Sequence, residues 1–123
     1  MRVGDTAQRA FRRFARLCPK YESASYFDLC RRLRGSCRSD REALELLAVF
    51  ETLRWLRASG RDECADAVEA VYFADRGRTP RKNEISYRVR RFAFARSMDE
   101  RTAWRRLDEA KKLYLKFCES VVK

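Results

Sequence analysis

The chain contains no histidine. The commonest general base of enzymes is therefore absent. No glycine-rich phosphate loop occurs, and no serine or cysteine has a base at a recognisable spacing. Glycine and proline are scarce, 4 and 2 residues among 123, which argues for long helices and few tight turns. The five cysteines (Cys18, Cys30, Cys37, Cys64 and Cys118) include no C-x-x-C pair, so no metal site is expected. Their odd number and apolar surroundings read as reduced core thiols in a cytoplasmic protein. No unbroken apolar run, Leu46 to Phe50 included, comes near the ~20 residues of a membrane span, and the N-terminus lacks a signal-like apolar run. The expectation is a protein that is not an enzyme, carries no cofactor and has no membrane partner.

Hydrophobic residues make up 46% of the chain, enough for a packed core. Arg, Ala, Leu and Glu dominate, all good helix formers, and no strand-like alternation, repeat or low-complexity tract is present. An all-α fold follows. The net charge of +11 is unevenly placed. Residues 1–40 carry +6, residues 41–75 carry −4 and residues 76–123 carry +9. A basic head and a basic tail thus flank an acidic middle, a distribution that favours a polyanionic partner.

Periodicity predicts a first helix over Thr6–Leu17, with Phe11, Phe14 and Leu17 or Cys18 inward and Pro19 ending it. A second covers about Ala24–Leu33, with Tyr26, Leu29, Cys30 and Leu33 inward, stopped by Gly35 and Ser36. The third, capped by Ser39 or Asp40, runs to about Ala58. Its apolar residues, from Leu44 through Val49, Phe50, Leu53, Trp55 and Leu56, are too broadly spread for one buried face, so it is expected to be the central core helix. Ser59-Gly60 ends it. A fourth helix over about Asp62–Ala74 opens on acids that suit the positive end of a helix dipole. Asp75–Lys82 is a basic linker, after which Thr79-Pro80 or Asn83 caps the next helix. The bundle divides into an N-terminal helical region, 1–60, and a C-terminal region, 61–123, expected to form one compact unit.

The rest of the chain is organised around Asn83–Tyr114. Apolar residues recur at helical spacing first at Ile85, Val89, Phe92 and Ala93, then at Ala103, Leu107, Ala110 and Tyr114. Ser97-Met98-Asp99 separates the two runs, and Asp99 suits the N-cap of the second. This is the pattern of a helix-turn-helix, whose second helix enters a DNA major groove. Val89-x-x-Phe92-Ala93 resembles the V-x-x-I-A that starts the helix-turn-helix in region 4 of sigma factors. Asp99-Glu100-Arg101-Thr102 resembles the S-x-x-T that opens their recognition helix. Leu107, Ala110 and Lys111 fall where extracytoplasmic-function sigma factors carry L-x-x-A-R. The spacing holds from Val89 to Lys111 without a gap, under half of the chain. Small phage late-transcription regulators of the ArpU and RinA type share this module and are about this size. Two positions depart from the pattern: Arg96 stands where the family usually has leucine, and Ser97 where it usually has glycine.

The resemblance implies a sequence-specific DNA-binding protein, a phage or prophage transcription regulator, with double-stranded DNA as partner and RNA polymerase as a second. Ala103, Leu107 and Ala110 are expected inward. Glu100, Arg101, Trp104 and Arg105 are the expected base contacts, because arginine can read guanine bidentately. Arg81, Lys82, Arg90, Arg91 and Arg106 are the expected phosphate contacts, which set position but not sequence. Two other functions remain open, a small terminase-like DNA-packaging protein and a helical adaptor on RNA polymerase or a sigma factor. Beyond Ala110 the seam continues through Tyr114, Phe117 and Val121 at spacings of 4, 3 and 4, giving a long last helix. That stripe is expected to fold onto the Leu44–Leu56 helix of the same chain in a monomer, with a homodimer as the alternative.

Overall fold

The structure, a computed structural model, describes residues 3–74 and 81–122. Within them the chain forms six α-helices and one 3-10 turn, and no strand: α1 (Val3–Leu17), the turn Tyr21–Ser23, α2 (Tyr26–Ser36), α3 (Asp40–Ala58), α4 (Asp62–Tyr72), α5 (Glu84–Ala95) and α6 (Glu100–Val122). The all-α expectation therefore stands. The two longest helices, α3 and α6, pack on each other more extensively than any other pair and form the spine. α1 and α4 each lie against both, and against one another. α2 adds to the α1–α3 side, α5 to the α4–α6 side.

α3 is central for the reason its sequence suggests. Leu46, Leu47, Ala48, Val49, Leu53 and Leu56 are all buried, and they cover more than one face because four other helices surround it. Thr52 sits among them fully buried, its hydroxyl donating to the Ala48 carbonyl at 2.7 Å. A ladder of rings ties the elements together. Phe11 lies edge-on to Tyr114 at 5.5 Å and beside Tyr72 at 5.8 Å, while Phe14 meets Tyr21 and Phe73. One apolar cluster thus runs from α1 to α6 across the 60/61 division.

Several boundaries differ from the sequence reading. α1 begins at Val3 rather than Thr6. α2 runs from Tyr26 to Ser36, with Ser25 as N-cap accepting from the Asp28 N–H at 3.1 Å. Gly35 and Ser36 therefore lie inside the helix instead of stopping it. Leu29 and Leu33 are the buried pair, Cys30 packs partly on the core, and Tyr26, the first residue of the helix, is 48% exposed. Trp55, expected in the core of α3, is likewise 42% exposed, with the Arg61 guanidinium 5.6 Å above its ring. Ser39 is the residue that caps α3, accepting from the Glu42 N–H at 3.2 Å. α4 ends at Tyr72, two residues before Ala74. Asn83 precedes α5 at φ 66° but its side chain makes no capping bond; the Glu84 carboxylate instead accepts the Arg81 N–H at 2.6 Å. The Thr79-Pro80 cap and residues 75–80 of the linker lie outside the described residues.

Candidate nucleic-acid interface

α4, α5 and α6 each pack against the other two. The corner between α5 and α6 is short and held by backbone hydrogen bonds. The Met98 N–H donates to the Ala93 carbonyl at 3.0 Å and the Ser97 N–H to the Phe94 carbonyl at 3.2 Å, the paired bonds of a Schellman ending. That ending requires a left-handed residue, and Ser97 adopts φ 53°. Ala93 is 4% exposed where the two helices approach, and Met98 packs onto the core at the corner. Asp99 then caps α6: its carboxylate accepts from the Thr102 N–H at 3.2 Å and from the Thr102 hydroxyl at 3.4 Å. The bond to the Thr102 backbone, foremost, holds the Asp99 carboxyl below its ordinary value.

Arginine at position 96 has a polar destination. Its guanidinium reaches Asp66 of α4 at 2.7 Å and lies 5.3 Å over the Phe92 ring. The acids of α4 hold cations from three sides. Arg57 of α3 bridges Asp62, Asp66 and Glu69 at 3.1–3.4 Å. Arg106 of α6 meets Glu63 at 2.6 Å and Glu109 at 3.3 Å. The Tyr21 hydroxyl donates to Glu69, and the Cys64 thiol to Glu109 at 3.2 Å. Burial, with that carboxylate beside it, pushes the Cys64 thiol up to about 12. For Asp66, burial acts to raise the carboxyl, but hydrogen bonds from Arg96 and Arg57 outweigh it and the net shift is downward. The acidic middle of the sequence is thus largely consumed in internal pairs.

What remains outward on α6 is mainly basic, with the exposed acid Asp108 among the cations of that face. Ala103, Leu107 and Ala110 are at most 1% exposed, so the solvent face of α6 opposite them carries Arg101 and Arg105. Both are exposed and, among the described residues, neither forms an ion pair. Glu100 is exposed beside them, 3.9 Å from Arg90 of α5. Arg91, Arg81 and Lys82 are also exposed. Two expected contacts are placed differently. Trp104 is half-buried and packs on the core cluster, because its position borders the inward stripe. Arg106 is turned toward α4 by Glu63, so a phosphate would compete with that pair. Sequence reasoning passed over Lys112 and Lys116, which continue the Arg101–Arg105 side of α6; seven- and four-residue steps from Arg105 would have found them. It also passed over the exposed rings of Tyr87 and Phe94 on α5.

Tyr114 is 1% exposed against α1, and Phe117 packs partly on the same core, so the later part of α6 is covered within the chain. The side chain of Val121 lies outside the described residues. Among the described residues, no helix is long and apolar enough to cross a membrane, and no group of three or more Cys, Asp and Glu side chains is arranged to hold a metal ion. No family model, curated protein or solved structure matches the chain.

Proposed function

We propose that the chain is a sequence-specific DNA-binding protein, a transcription regulator of the small phage type, in which α4, α5 and α6 act as a helix-turn-helix similar to region 4 of sigma factors. The observation that carries this reading is the solvent face of α6. Four cations, Arg101, Arg105, Lys112 and Lys116, follow a hydrogen-bonded corner and form no ion pair among the described residues; the exposed Asp108 lies among them but is paired with none of the four. A helix presenting its first turns this way fits a major groove, with Arg101 and Arg105 reading guanine edges. Arg90, Arg91, Arg81 and Lys82 would take phosphates on the flank. Glu100 would accept from a cytosine amino group. The left-handed Ser97 supports the likeness at the position where the family carries glycine. In this reading the chain is a binding protein rather than an enzyme, and the covered Tyr114 supports a monomer. RNA polymerase is then the second partner of a regulator rather than the primary one.

Selection of genomic DNA fragments on the purified protein tests it. Enrichment of a common short motif is expected, lost in Arg101→Ala and Arg105→Ala. Recovery of no sequence above the input pool would overturn the reading.

A further inference from the structure

On the outer face of α5 only Arg90 and Arg91 enter the reading of α6, as flanking phosphate contacts, and the exposed rings beside them have no role in it. Val89, Phe92 and Ala93 are the core-facing residues of α5. Tyr87, Arg90, Arg91 and Phe94 stand at i, i+3, i+4 and i+7, on one shared face opposite the core. Tyr87 is 57% exposed and Phe94 89%. Other exposed rings have company: Phe27 lies beneath Arg31, Trp55 beneath Arg61, and Tyr26 against Phe50. Tyr87 has the Arg91 guanidinium 5.9 Å from its centroid. Phe94 has neither a ring nor a cation against it among the described residues.

The surroundings are cationic. Arg91 has no ion pair among the described residues, Arg90 has only the 3.9 Å approach of Glu100, and Arg81 and Lys82 precede the helix. The nearby acid, Glu84, is engaged by Arg88 and by the Arg81 N–H. Along the helix the two rings are separated by roughly 10 Å, with guanidinium groups between them. That pattern lacks the contiguous apolar core on which a protein partner would anchor. It supplies the two things an unpaired nucleic-acid strand needs, π-faces for bases and cations for phosphates. A cleft of about 470 Å³ opens beside Tyr87 and Arg91, lined also by Ala70, Phe92 and the paired Glu84 and Arg88, with space for a base turned inward. We infer that the outer face of α5 binds single-stranded nucleic acid, with bases stacking on Tyr87 and Phe94 and phosphates on Arg90 and Arg91.

The test compares three probes by fluorescence anisotropy: a 12-nucleotide single strand, an abasic strand of the same length, and a blunt duplex. The full chain is expected to bind the base-bearing strand more tightly than the abasic one. Tyr87→Ala and Phe94→Ala should each weaken binding of the base-bearing strand by roughly 5- to 100-fold. Binding of the abasic strand and the duplex should stay within about twofold, and the melting temperature should be unchanged because both rings are exposed. Phe94→Trp should retain binding and show quenched fluorescence when the strand is added. Equal affinity for the base-bearing and abasic strands would overturn the inference. So would a Tyr87→Ala/Phe94→Ala variant that keeps its single-strand affinity. Failure of duplex binding alone would overturn the reading of α6 and leave this one standing.

Discussion

Ser97 shows how a single residue sets the corner on which the account rests. A side-chain-bearing residue at φ 53° carries a steric cost that glycine does not, so Ser97→Gly should stabilise the protein by up to about 1 kcal/mol. Thermal unfolding would show it as a higher melting temperature; an unchanged or lower one would mean the turn does not depend on the left-handed conformation. Ala93 and Arg101 form a second, paired prediction. Ala93→Leu overfills the approach of α5 to α6 and should cost about 1–3 kcal/mol, whereas Arg101→Ala should leave stability nearly unchanged and weaken DNA binding. The reverse pattern would invert the assignment of inner and outer faces. At this scale the inward stripe Ala103, Leu107 and Ala110, the cap at Asp99 and the buried Ala93 were legible from spacing alone. Tyr26 and Trp55 were not. Their apolar character placed them inside, while their exposure depends on where the helix starts and on which sides neighbours cover, and neither is written in the local pattern.

At the scale of elements, α4 is the electrostatic centre of the fold. Its opening acids read in the sequence as helix-dipole partners, which is a local effect. The structure gives the same face a tertiary role, because Arg57, Arg96 and Arg106 converge on it from three elements. Those pairs join residues 9 to 43 positions apart, beyond any i,i+4 pattern, so only the folded chain reveals them. The consequence is a pH dependence with a definite sign. The Asp66 carboxyl is depressed in the folded state. Its contribution is therefore complete above the ordinary aspartate value of 3.8 and is lost as pH falls through the lower folded value. Asp66→Asn should be less stable than the parent protein at pH 7 in urea denaturation, and the difference should shrink as pH drops below about 4. A gap that is constant down to pH 2 would show that Asp66 contributes by packing rather than by charge. The central position of α3 and the intramolecular cover of Tyr114 were legible, because a helix apolar on several sides and a stripe of large apolar residues without a partner can satisfy each other.

For the whole molecule, the question is where the +11 charge is presented. The negative middle of the sequence lies in the folded chain against arginines of α3, α6 and the α5–α6 corner, which neutralises part of the basic tail. The outer sides of α5 and α6 stay mainly cationic. A third basic region, a groove of about 870 Å³ lined in part by Lys20, Arg31 and Arg32, lies between the end of α1 and α2, on elements that pack with α3 rather than with α5. In the proposed function the α6 face binds duplex DNA electrostatically and reads it through its first turns. The direct measurement is duplex affinity against salt concentration for the parent protein and for Arg101→Ala/Arg105→Ala. The log of the parent's affinity should fall steeply and linearly with log salt. The double variant, folded to the same melting temperature, should bind at least about tenfold more weakly at every salt concentration. Absence of duplex binding at low salt, or a double variant that binds as well as the parent, would contradict the proposed function.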